Sequence, residues 1–96
     1  MAFKILIERD ALEYANSLPE KSKRIVKENL RKLGANPHPG TGQGDKEKLT
    51  HKGETLYRVH IGLTFTAFYR IDDKEKEVRI LKVMTLEKAH KEYGRL

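Results

Sequence analysis

Arg58 and His60 stand two residues apart in a β-rich run, LYRVHI, and project to one face of the strand it predicts. A guanidinium beside an imidazole can bind a phosphate and move a proton. Arginine offers a rigid fork of donors, and histidine is the residue type whose charge changes near neutrality. Alone, such a pair is more often the polar decoration of a half-buried strand. Arg70 on the next run, and Lys88, His90 and Tyr93 in the C-terminal segment, are expected to converge on the same face. Cations there would clamp phosphates, and Tyr93 or Phe68 would stack on a base. A second basic feature is the helical stretch ending at Leu33, which carries Lys21, Lys23, Arg24, Lys27, Arg31 and Lys32 against only Glu20 and Glu28. Charged helix faces are usually just solvated, but this one is one-sided enough to read as a polyanion-binding surface.

Other chemistries fail on spacing. The string Gly40-Thr-Gly-Gln-Gly44-Asp-Lys46 lacks the Gly-Lys-Ser/Thr end of a phosphate loop, and Asp45 stands where a dinucleotide fingerprint needs its third glycine. His38, His51, His60 and His90 show no helical i,i+4 pair and no accompanying carboxylate motif, so no metal and no small-molecule cofactor is expected. Cysteine is absent, which removes disulfides and thiolate metal sites and suits a reducing, cytoplasmic setting.

The elements that position these residues can be read from periodicity. Phe3, Ile5 and Ile7 alternate with Lys4 and Glu8 as in a half-buried strand. Asp10 with Glu13, then Ser17 with Glu20, have capping-box spacing and predict two helices, to about Asn16 and to Leu33, with Gly34 as the stop of the second. Ile25, Val26, Leu30 and Leu33 form its apolar stripe. Residues 34–55 hold five of the seven glycines and predict a long surface loop.

Three β-rich runs follow, LYRVHI, FTAFYRI and EVRILKVM. A three-residue turn at Gly62-Leu63-Thr64 puts Tyr57, Val59, Ile61, Phe65, Ala67, Tyr69 and Ile71 on the core face, with Arg58, His60, Thr66, Phe68 and Arg70 opposite. The third run keeps no clean alternation and suits a strand buried on both sides; TLEKAHKEYGRL predicts a short polar helix or ordered end. The fold class is therefore α+β: an N-terminal strand and an antiparallel helical hairpin packed on a mainly antiparallel sheet.

The 96 residues allow one domain, 1–96, and one modest core. Twenty Lys and Arg against fourteen Asp and Glu give +6, a balance that favours polyanions or an acidic protein. No apolar run approaches membrane-spanning length, so no membrane partner is expected.

The order of elements, with LYRVHIGLTFTAFYRID (56–72) and VRILKVMTLEKAHKEYG (78–94), resembles the RelE/ParE toxin superfamily of type II toxin–antitoxin systems. The shared features are Leu-Tyr-Arg-x-x-x-Gly, an aromatic-Tyr-Arg-Ile-Asp strand, and Ile-Leu-x-Val before a basic tail. The resemblance implies a toxin restrained by a cognate acidic antitoxin. In the RelE branch it implies an endoribonuclease that cuts messenger RNA on the ribosome by 2′-hydroxyl attack. Carried over by position, the basic pair of the family's second strand falls on Arg58 and His60. Three family positions depart: arginines fall on Thr66 and Leu86, and the terminal tyrosine on Glu92, one place before Tyr93. Those gaps keep two alternatives in play, a ParE-like inhibitor of DNA gyrase and a degenerate RNA- or antitoxin-binding homologue.

Overall fold

The computed structural model describes residues 2–39 and 46–93, with the backbone alone at Tyr93. The chain runs β1 (Lys4–Ile7), α1 (Arg9–Asn16), α2 (Glu20–Lys32), β2 (Lys46–His51), β3 (Glu54–Ile61), β4 (Phe65–Asp72), β5 (Glu77–Thr85) and α3 (Leu86–Tyr93). One five-stranded sheet has the order β1-β5-β4-β3-β2. β1 pairs with β5 in parallel, and the other pairings are antiparallel. Parallel pairing requires a crossover, and the α1–α2 pair belongs to it.

The helices cover the face that parity selects. Val59, Ile61, Ala67 and Tyr69 are buried against Ala11 and Ala15 of α1, Val26 and Leu30 of α2, and Leu33 at its C-cap; Tyr57, Phe65 and Ile71 are half-buried at the margin. Ile25 lies on the outer side of α2 instead of in its apolar stripe. The Ile61–Phe65 pairing confirms the three-residue turn.

The irregular third run also has a cause. Phe68 pairs with Lys82 while Tyr69 pairs with Ile80, so Leu81 is an extra residue in β5. This bulge flips the parity, letting Val78, Ile80 and Val83 face the helices while Met84 faces the other side.

Three local expectations need correction. The 34–55 loop contains β2, which pairs with β3 through the turn at Lys52 (φ 51°) and Gly53 (φ 80°). Two consecutive positive-φ residues make the primed turn whose twist suits a hairpin. The glycine-rich string itself, at positions 40–45, lies outside the described residues. The caps also differ. Glu8 and Pro19 hold the N-cap positions, Asp10 sits in the first turn of α1, and the Ser17 hydroxyl donates to the Tyr14 carbonyl at 2.6 Å. Gly34 is required by close packing: its carbonyl accepts the Phe3 N–H at 2.6 Å, and an added Cβ would lie 3.1 Å from the Phe3 carbonyl oxygen.

Candidate functional site

α3 is placed by its cap and by one apolar patch. Thr85 Oγ1 accepts the Lys88 N–H at 3.2 Å, an N-cap contact, and Ala89 packs on Phe68 and Met84, with Leu49 of β2 at the margin. The second face of the sheet is therefore covered here. Phe68 is fully buried beneath α3, so it cannot stack on a base as the sequence suggested. Thr66 is buried too, and its hydroxyl donates to the Val59 carbonyl at 3.1 Å.

Arg58 lies on that face between Glu47 of β2 and Phe68 of β4, its cross-strand neighbours. Its side chain is only 7% exposed, which corrects the expectation that it faces solvent. Nη2 donates to both carboxylate oxygens of Glu47 at 3.1 Å, whereas Nε is buried with no acceptor among the described residues. β2 was the strand sequence reading missed, and with it went Glu47. The signal was the alternation of KEKLTH before Lys-Gly, weaker than the usual Asn-Gly or Asp-Gly hairpin mark.

His60, two residues along, is half-buried opposite Thr66, and its imidazole has no hydrogen-bond partner among the described residues. The remaining predicted residues divide into separate regions. Lys88 joins Lys82, Glu92, Asp10 and Tyr14 around a cleft of about 300 Å³ between α1 and α3. Arg70 pairs with Glu54 and shares a different groove with Arg79, Asp73 and Glu77. Lys88 and Arg70 thus do not converge. His90 is exposed on α3, and Tyr93 ends that helix with a side chain outside the described residues.

Electrostatically the face is closed on itself. Arg79 meets Glu8 at 3.1 Å, Lys82 and Lys88 meet Glu92 at 3.7 and 3.6 Å, and Arg58 and Arg70 have their own carboxylates. On α2 the balance is opposite. Lys23 pairs with Glu20 at 3.5 Å, while Lys21, Arg24, Lys27 and Arg31 have no ion-pair partner among the described residues. Burial raises the pKa of both Tyr69 and Tyr14, favouring the protonated phenol, with the nearby Tyr57 adding to the shift at Tyr69. Tyr69 spends its hydroxyl on the Pro37 carbonyl at 2.6 Å. Among the described residues no cluster suits a metal ion, and no helix is long and apolar enough to cross a membrane.

The sequence matches the profile of the ParE toxin of type II toxin–antitoxin systems, parDE, over residues 5–89. The chain belongs to the ParE toxin family. Solved structures agree with this placement. The RelE–RelB complex of the archaeon Pyrococcus horikoshii is 28% identical, with 88% of this chain and 96% of that one covered at a TM-score of 0.71. A RelBE toxin–antitoxin complex of Mycobacterium tuberculosis aligns at 22% identity over 88% and 99% of the two chains, with a TM-score of 0.73. The YoeB dimer of Staphylococcus aureus aligns at 22% identity over 88% and 97%, TM-score 0.66. These last two likenesses are of fold alone. No curated protein matches the sequence. The toxin therefore has the superfamily's α+β architecture, with a buried, carboxylate-paired Arg58 and with Glu92 held by two lysines.

Proposed function

We propose that this toxin cuts messenger RNA at the ribosome and is restrained by a cognate acidic antitoxin. One observation carries the reading: Arg58 is a buried guanidinium with an unused Nε donor, on the same strand face as an unengaged His60. A buried donor without a partner is costly, and a ligand oxygen placed against it would remove that cost. In this reading the ribose 2′-oxygen attacks the adjacent phosphorus and the P–O5′ bond breaks. Arg58 balances the negative charge that builds on the non-bridging oxygens, and His60 transfers a proton at the 2′-oxygen or the leaving 5′-oxygen. The excess charge of α2 draws the RNA in. The antitoxin follows from the toxin–antitoxin complexes among the similar structures and from the basic surface that an acidic segment would neutralise.

The test is cleavage of a translated message in a reconstituted system. His60→Ala should reduce cutting about 10²- to 10⁴-fold, the usual worth of a general acid or base. Wild-type protein that arrests translation of nothing and cuts nothing would reject the proposal.

A second reading has its own support. With the sheet's cations ion-paired and the free charge on α2, inhibition of DNA gyrase by protein contact, without cleavage, is the alternative that the ParE family match favours. Loss of supercoiling by purified gyrase on addition of the toxin would select it.

A further inference from the structure

Glu47 holds Arg58 in an unusual way. Both of its oxygens contact a single nitrogen, Nη2, and the edge formed by Nε and Nη2 is left half used. That edge is the one that matches two oxygens of a phosphate as parallel hydrogen bonds. Glu47 comes from β2, an edge strand paired only with β3, and its side chain is 47% exposed while Arg58 is covered. The carboxylate therefore has a route to water that the guanidinium lacks.

We propose that the Glu47 carboxylate occupies an anion site whose proper ligand is a phosphodiester of single-stranded RNA, so that binding requires Glu47 to swing out. The inference rests on the RNA reading above and adds to it the gate. Geometry favours the exchange: a phosphate on the Nε–Nη2 edge satisfies the orphaned donor, which Glu47 does not. Charge favours it as well, because the departing carboxylate is resolvated at the surface and leaves no buried ion behind.

Chemistry also sets what the site would reject. A neutral ligand cannot replace the carboxylate without leaving Arg58 uncompensated. Arg70–Glu54, on the same face, is the natural comparison: an exposed pair that any polyanion can displace and that discriminates little.

The measurement is fluorescence anisotropy of a labelled single-stranded RNA oligonucleotide with the full chain. Glu47→Gln keeps the shape and removes the competing charge, and it should tighten binding about tenfold, whereas Glu54→Gln makes the same change in net charge and should tighten it about twofold or less. The advantage of Glu47→Gln should vanish in an Arg58→Met background. Because Glu47→Gln could loosen β2, the wild type supplies a second readout: the Arg58 Nε–H NMR signal should shift on titration with the same RNA.

Equal tightening by the two glutamine variants, or an Arg58 signal unmoved at saturation, overturns the gate. Tightening at Glu47 without cleavage of translated messages leaves the gate standing and rejects the nuclease. Cleavage by wild type with no gain from Glu47→Gln does the reverse.

Discussion

Truncating Phe68 separates the two roles it could have. Were the ring a stacking platform for a base, Phe68→Ala would weaken RNA binding and leave stability alone. In the fold it is fully buried and forms, with Met84 and Ala89, the small cluster that anchors α3. Replacing a buried phenylalanine by alanine costs about 3–5 kcal/mol. In a domain of this size each kcal/mol moves Tm by roughly 4–8 °C, so the lower figure already predicts a fall of about 12–24 °C. The loss has a ceiling, however. An eight-residue helix is too short to persist alone, so α3 exists only while docked, and undocking it caps the damage. The expected signature is therefore a lower Tm together with lost amide protection across α3, while α1 and α2 keep theirs. Thermal melting and hydrogen exchange on the full chain measure both, and Phe68→Leu should recover most of the loss. A Phe68→Ala protein melting within about 4 °C of wild type, with α3 still protected, would refute the packing argument.

Other perturbations test separate parts of the account. Tyr69→Phe removes the bond to the Pro37 carbonyl and leaves a buried acceptor, which should cost about 1–3 kcal/mol by urea denaturation. Because burial raises its pKa in the folded state, Tyr69 keeps its proton where the unfolded chain begins to lose one. Its contribution is complete below about pH 10 and declines as pH rises beyond, which denaturation between pH 9 and 11 should reveal as a loss absent from Tyr69→Phe. Arg24→Ala and Arg31→Ala, exposed on α2, should leave stability within about 0.5 kcal/mol. Each should also flatten the salt dependence of single-stranded RNA binding by about 0.7 in log–log slope if it meets a phosphate. Gly53→Ala forces a side chain into φ 80° in the β2–β3 turn and should cost about 1–2 kcal/mol in thermal melts, although a Cβ there meets nothing.

How much of this was legible in the sequence depended on the range of the interaction that decided each feature. Period-two alternation selected Val59, Ile61, Ala67 and Tyr69 as the helix-facing row, because a one-residue slip would have put them all in water. The break in β5 was visible as broken alternation, but a bulge at Leu81 could be assigned only against its partner strand. β2 escaped because Lys-Gly is a weak turn mark and the strand has one apolar residue, Leu49, to signal a face. Losing β2 hid Glu47, so Arg58 looked solvent-facing. Parity had placed it correctly on the second face, but parity says nothing of what covers that face. α3 was legible as a helix, while its seat on Phe68 depended on tertiary packing.

The charges divide along the same line between local and long-range. Six cations less two carboxylates leave +4 on α2, in a chain whose net charge is +6. α2 packs on one side of the sheet and Arg58 lies on the other. The field that attracts an acidic partner and the buried donor that would discriminate a phosphate thus sit on opposite sides. Exposed pairs on the second face hold their carboxylates weakly, by about 0–1 kcal/mol each, so they can yield to a competing anion without selecting it. A ligand engaging both sides must pass around an edge of a body measuring 35 × 28 × 27 Å. At 3.3–3.6 Å per extended residue, a path of that size takes about eight to ten residues of chain. A rigid globular partner reaches one side only. An acidic segment that is extended before binding and orders across the edge can neutralise α2 and still reach β2, where Glu47 guards Arg58. Truncating such a segment from its far end should therefore relieve its hold on the second face before it weakens the attraction to α2, and binding should fall in two steps as residues are removed. A single, graded loss with length would place the whole contact on α2.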